Sequence, residues 1–188
     1  NLVYLCEYFG LPEVASFWES VINLNNWQQK RISKVIVRKL FGTLSNKKIT
    51  ILGFAFKANT NDTRESPAIS ICKDLLEEGA YLSIHDPKVS KDQISIDLGV
   101  EPIEAINKQE NFTKREGKWS YAIDIDSSFE DADAVVILTE WSDYINIKWS
   151  DISEKMRKPS WIFDTRSITN VSDIKESKIN IWRIGDGM

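Results

Sequence analysis

Residues 49–67 read Ile-Thr-Ile-Leu-Gly-Phe-Ala-Phe-Lys-Ala-Asn-Thr-Asn-Asp-Thr-Arg-Glu-Ser-Pro, and this stretch decides the fold. Its first part, with Ile49, Ile51, Leu52, Phe54 and Phe56, is a short β-rich apolar run that follows the polar pair Lys47-Lys48, and it predicts a buried strand. Its last part is a helix start. Ser66 suits the N-cap, and Pro67 suits the first helical position, where a missing N–H costs nothing. Between strand and helix stand Lys57 and Arg64. A helix N-terminus presents unpaired N–H groups and positive partial charge, so a lysine and an arginine beside it suit a phosphate or pyrophosphate group. Gly53 stands alone, without the further glycines of a G-x-G-x-x-G loop. Side chains, more than bare backbone, are therefore expected to hold the ligand.

Working outward, strand and helix signals alternate. The helix after Pro67 carries Ile69, Cys72, Leu75 and Leu76 on one face and closes at Gly79. Strands are predicted at 81–85, 134–139, 161–164 and 179–184, with a further one around 119–123. This alternation implies right-handed βαβ crossovers and an α/β fold with a doubly wound, parallel, Rossmann-like sheet. Ligands of such sheets bind outside the carboxyl ends of the strands. Lys57, Asp86, Glu140 and Arg166 each follow a predicted strand, so the fold is expected to bring them to one edge. Asp86 stands where a ribose-binding acid stands in a cofactor domain, and Asp86-Pro87 equally suits a turn; the absent glycine fingerprint argues against the first use. Residues 89–128 are polar and mixed in charge, read as a surface insertion or partly mobile loops, and carry no assigned chemistry.

The first forty residues are helical in pattern. Leu2, Val3, Leu5, Cys6 and Phe9 form a stripe that Gly10 can close, and Pro12 suits the start of a long helix whose apolar positions run from Val14 to Phe41. Two parts are expected: a helical region, 1–45, and a Rossmann-like domain, 46–188. A chain that opens in mid-helix without methionine reads as truncated at its start.

The 188 residues, 42% hydrophobic and 28% charged, can bury one sizeable core. A net charge of −4 and a pI near 5.2 argue against a nucleic-acid surface. The apolar runs are too short to cross a membrane, and the start lacks a basic n-region, so a cytoplasmic location is expected. Cys6 and Cys72 alone allow no disulfide framework or metal site, and both read as buried, inert thiols. His85 is the single histidine, which excludes His-based metal clusters and triads.

The order Gly53-Phe54-Ala55-Phe56-Lys57 and Asp62-Thr63-Arg64-Glu65-Ser66-Pro67 resembles the C-terminal nucleotide-sugar domain of the UDP-glucose 6-dehydrogenases. Asn1 to Cys6, His85-Asp86-Pro87-Lys88, Thr139-Glu140-Trp141, and Phe163-Asp164 with Arg166 extend the resemblance along the chain. The resemblance implies UDP-sugar binding by Phe56, Lys57 and Arg166, and a contact from Arg64 across a domain cleft to NAD, which an amino-terminal domain mainly holds. It implies a parent enzyme that oxidises UDP-glucose twice at C6 to UDP-glucuronate, with a cysteine nucleophile that maps a few residues before Asn1, so that Cys6 is a helix residue. No catalytic residue falls within this chain, which is expected to be inactive alone. The opening helices resemble the family's central helix, which implies a homodimer or higher homo-oligomer. Thr165 stands where the family usually has glycine, and a β-branched residue disfavours left-handed backbone. Three rival readings stay open: a nucleotide-binding or oligomerisation module without catalysis, a related GDP-mannose or UDP-N-acetylmannosamine dehydrogenase domain, and a domain that itself binds NAD.

Overall fold

The opening apolar stripe forms α1 (Leu2–Tyr8), Gly10 takes φ +70° where the chain turns, and Pro12 begins α2 (Pro12–Lys39). A computed structural model describes residues 2–103 and 117–186. The long stripe of α2 divides in two. Ile32, Val35 and Ile36, with Leu40 just beyond the helix, are buried in the main core, whereas Phe17, Trp18, Val21, Ile22, Leu24 and Trp27 are exposed. Periodicity specifies the helix but not which half finds cover. The covered half packs on α3 (Pro67–Glu77), where Ser70 Oγ donates to Gln29 at 2.8 Å.

After α2 come β1 (Lys48–Leu52), α3, β2 (Tyr81–His85), α4 (Lys91–Leu98), β3 (Lys118–Tyr121) and α5 (Ile125–Ser128). Then follow β4 (Ala134–Ile137), α6 (Ser142–Ile145), α7 (Trp149–Ser153), β5 (Trp161–Asp164), α8 (Val171–Glu176) and β6 (Asn180–Arg183). The six strands are parallel, in the order β3-β2-β1-β4-β5-β6. This is the doubly wound arrangement expected, and it reverses direction between β1 and β4. Every residue of β1 and β4 is buried, so the central strands are covered on both faces, as a parallel sheet requires.

Two readings of strand extent change. The run to Phe56 does not continue as a strand: β1 ends at Leu52 because Gly53 takes φ +92° and the next amides leave the ladder. Likewise β4 ends at Ile137, and Thr139 turns its hydroxyl to the carbonyl of Ala55 at 2.7 Å. The stretch 89–128, read as loop, contains α4, which Ser90 caps through the amide of Gln93 and Gly99 ends at φ +72°. Its buried Ile94 and Leu98, four residues apart, were the legible signal. Residues 104–116 of that stretch lie outside the described residues. Among the described residues, no helix is long and apolar enough to cross a membrane.

Candidate functional site

Leu52 pairs with His85 on one side and Ile137 on the other, and Ile137 pairs with Asp164. The four strand ends therefore form one row, and the loops that begin at Gly53, Asp86, Leu138 and Thr165 leave the same edge. Lys57, Asp86, Glu140 and Arg166 stand on these loops, as the sequence predicts.

The β1 loop is locked to the β4 loop. A Cβ on Gly53 would lie 2.4 Å from Thr139 Cβ and 2.7 Å from its backbone nitrogen, so no other residue fits. The amide of Gly53 donates to His85 O at 2.9 Å. Tyr144, buried, holds the same carbonyl through its hydroxyl at 3.0 Å, and that hydroxyl lies 3.0 Å from His85 Nδ1. Burial pushes the His85 imidazole below its usual pKa, against the opposing fields of Asp86, Asp143 and Asp124. Phe54 is buried, and the chain then turns outward, leaving Phe56 at 46% exposure and Lys57 exposed. Lys57 has no hydrogen-bond partner among the described residues.

Arg64 goes elsewhere. Its guanidinium forks onto Asp62, Nε to Oδ1 at 2.9 Å and a terminal nitrogen to Oδ2 at 2.7 Å, while 88% of the side chain faces solvent. That fork, reinforced by the Arg64 amide, draws the Asp62 carboxyl down to about 2. Arg166 is held more firmly. Its amide donates to Asp164 Oδ1 at 3.0 Å, its Nε donates to Leu138 O at 2.7 Å, and Nε lies 3.3 Å from Glu140 Oε2. Glu140 is thus the counter-ion of Arg166 as well as a neighbour of buried Trp141. Thr165 needs no left-handed backbone. Ser167 takes it instead, at φ +57°, and Thr165 Oγ1 donates to Ile137 O at 2.7 Å.

The helix start differs from a bare anion site. Ser66 Oγ accepts from Ala68 N at 3.3 Å and donates to Phe54 O at 2.7 Å, and Ile69 N donates to Ser66 O at 3.1 Å. Pro67 has no N–H, so these first-turn donors are met within the fold and the cationic side chains are what the edge presents. Cys72 is fully buried and its thiol is pushed up by burial; Cys6 is half-buried. Among the described residues, no group of His, Cys, Asp and Glu could hold a metal ion.

A doubly wound parallel sheet whose loops at the carboxyl edge carry Lys57 after β1 and Arg166 after β5 defines a Rossmann-type domain. Residues 50–171, from β1 through the first residue of α8, match the profile described as the UDP-glucose/GDP-mannose dehydrogenase family, UDP binding domain. The chain belongs to the UDP-glucose/GDP-mannose dehydrogenase family and comprises its C-terminal UDP-binding domain. It is 42% identical over 188 residues to UDP-glucose 6-dehydrogenase 4 of Arabidopsis thaliana, covering 98% of this chain and 39% of that one. The UDP-glucose 6-dehydrogenase of Drosophila melanogaster is 42% identical over 189 residues, with 98% and 38% covered. Among solved structures, a UDP-glucose dehydrogenase from the archaeon Pyrobaculum islandicum shares the fold, with TM-score 0.68, 24% identity, and 96% and 34% of the two chains covered. The chain therefore spans about two-fifths of the length of the curated relatives it matches.

Proposed function

We propose that this chain is the substrate-binding part of an NAD-dependent UDP-glucose 6-dehydrogenase, the parent enzyme oxidising UDP-glucose to UDP-glucuronate. The observation that carries the reading is the placement of Lys57 and Arg166 on one sheet edge beside the switch point, in a chain 42% identical to UDP-glucose 6-dehydrogenases. Lys57, exposed and without a hydrogen-bond partner among the described residues though within the field of Asp62, is an ammonium available to a diphosphate. Arg166, with Nε engaged, offers its terminal nitrogens, and Phe56 offers an exposed ring. No residue of this chain is given a catalytic role.

The residues present do not fit a dinucleotide cradle. Gly53 is alone in the β1 loop, and the carboxylate of Asp86, at the end of β2, is turned inward. NAD is accordingly assigned to another part of the parent, with Arg64 as the one contact from this domain, after release from Asp62. Residues 1–45 serve as a helical connector to 46–188, with the last turns of α2 built into the core. The exposed face of Phe17, Trp18, Val21, Ile22, Leu24 and Trp27 is the self-association surface of a homodimer or larger assembly.

Calorimetric titration with UDP, UDP-glucose and NAD+ tests the reading. Saturable binding of the two UDP ligands, weakened in Lys57→Ala and in Arg166→Ala, is expected, with no NAD+ signal and no NADH production by the chain alone. Each lost charge-assisted bond is worth about 1.5–3 kcal/mol, or roughly 10- to 150-fold in Kd. Binding of NAD+ in preference to UDP would overturn it.

A further inference from the structure

Five N–H groups converge on the carboxylate of Asp86, which is 2% exposed. Oδ2 accepts from the amides of Phe54 at 2.7 Å and Ala55 at 3.0 Å and from the indole Nε1 of Trp141 at 3.1 Å. Oδ1 accepts from the amides of Lys88 and Val89, each at 2.9 Å. These donors come from the loops after β1, β4 and β2. One side chain therefore ties together three loops that span the switch point, those after β2, β1 and β4.

The identity of the donors gives the arrangement its meaning. In a glycine-fingerprint loop, backbone amides just past the first strand are left free for a pyrophosphate. Here the amides of Phe54 and Ala55 are already satisfied by an anion that belongs to the protein. The acid in the ribose-binding position has been turned from the ligand to the loop. With both oxygens accepting, it has little capacity for a ribose diol, and with two loop amides occupied, the backbone has less to give a phosphate. The donors left near that edge are side chains, Lys57 two residues beyond Ala55 and Arg166 on the far side of β4.

We infer that Asp86 is the positioning residue of the nucleotide site: an internal anion that takes the place of the glycine fingerprint, fixes the 53–57 loop, and thereby sets Lys57 for phosphate recognition. This rests on the UDP-binding reading above. Asp86 touches no ligand and acts through Lys57. Trp141 contributes to the same arrangement, since its indole N–H anchors the Glu140 loop to the carboxylate while Lys88 Nζ lies 5.9 Å from the ring. An asparagine at 86 would keep the shape but set an NH2 against N–H donors that had an oxygen to bond, so at least two of the five contacts become repulsive, two if the NH2 replaces Oδ1 and three if it replaces Oδ2.

The experiment is a double-mutant cycle on the whole chain, read by calorimetric titration with UDP for wild type, Asp86→Asn, Lys57→Ala and the double variant. Asp86→Asn is expected to weaken UDP at least tenfold in the wild-type background and less than threefold in the Lys57→Ala background, because its effect passes through Lys57. An equal loss in both backgrounds would mean that Asp86 is merely structural and would overturn the inference, as would unchanged affinity in Asp86→Asn. If Asp86→Asn does not fold, Trp141→Phe decides, since it removes one donor and keeps an aromatic ring at that position. A threefold loss of UDP affinity supports the role, and wild-type affinity overturns it. A wild-type chain that binds no UDP would instead refute the site reading itself, so the two failures are distinguishable.

Discussion

Gly53→Ala separates two costs that the structure places on one residue. The backbone there has φ +92°, and a side chain in that left-handed region costs about 1–2 kcal/mol. The new Cβ would also lie 2.4 Å from Thr139 Cβ, 2.6 Å from Thr139 Oγ1 and 2.7 Å from Thr139 N. The hydroxyl could rotate away, but the Cβ and the amide belong to a loop fixed by bonds to Leu52 and Ala55, so relief requires backbone movement. Overpacking of this kind typically adds about 1–3 kcal/mol. The sum, about 2–5 kcal/mol, is a large share of an ordinary folding free energy. Gly99 provides the internal control. It has φ +72° with nothing within 4 Å of its Cβ position, so Gly99→Ala carries the backbone cost without the clash. Urea denaturation followed by circular dichroism reads both. With a urea slope on the order of 2 kcal/mol per molar, Gly53→Ala should lower the midpoint by about 1–2.5 M and Gly99→Ala by about 1 M or less. Equal midpoints for the two variants would refute the claim that the β1 and β4 loops are in forced contact.

Three further outcomes follow from the same geometry. Asp164 is fully buried and accepts from Arg166 N, Thr169 N and Thr169 Oγ1, so Asp164→Asn should cost about 2–3 kcal/mol, seen as a Tm lower by roughly 4–12 °C in a thermal melt. The folded-state pKa of His85 is depressed, so the unfolded chain takes up the proton first as pH falls; stability is complete above about 6.5 and is lost toward the lower folded value. Because His85 is the single histidine, Tm should fall between pH 7 and 5.5 in the wild type and do so less in His85→Gln. Trp18→Lys with Leu24→Lys should shift the chain toward the monomer in sedimentation equilibrium without changing its UDP affinity, since both residues lie on the exposed half of α2.

The fold was legible where local chemistry bounds an element on both sides. The strand 81–85 is bracketed by Gly79 and by Asp86-Pro87, the helix from Pro67 opens at Ser66, and both appear in the structure where the sequence places them. The apolar stripe of α2 was legible as a helix but misleading about burial, because periodicity records what a face is suited to and not whether a partner lies against it. In 49–56 the apolar pattern outran the strand, because Gly53 turns the chain, Phe54 packs into the core from the loop, and Phe56 goes to solvent. Position along the sheet edge was likewise readable for Lys57, Glu140 and Arg166, since it requires only that a residue follow a strand. What the side chains do there was not. Glu140 meets Arg166 across 26 residues of sequence, and no local pattern announces the pair.

The charge at the edge illustrates the same limit from the opposite direction. A lysine, an arginine and a helix start within ten residues suggest three cooperating anion donors, and each is resolved differently by the fold. Ser66 and the chain itself take the first donors of α3, Arg64 is spent on Asp62 in solvent, and Lys57 alone stays open. The second cation arrives from Arg166, two strands away, on a loop braced by Asp164 and Leu138. On the reading proposed above, a nucleotide would be gripped from both sides of the β1–β4 junction by side chains on separate loops, and its affinity would depend on how rigidly those loops are held. Under that reading the buried acids Asp86 and Asp164, which brace these loops without facing solvent, would be determinants of binding.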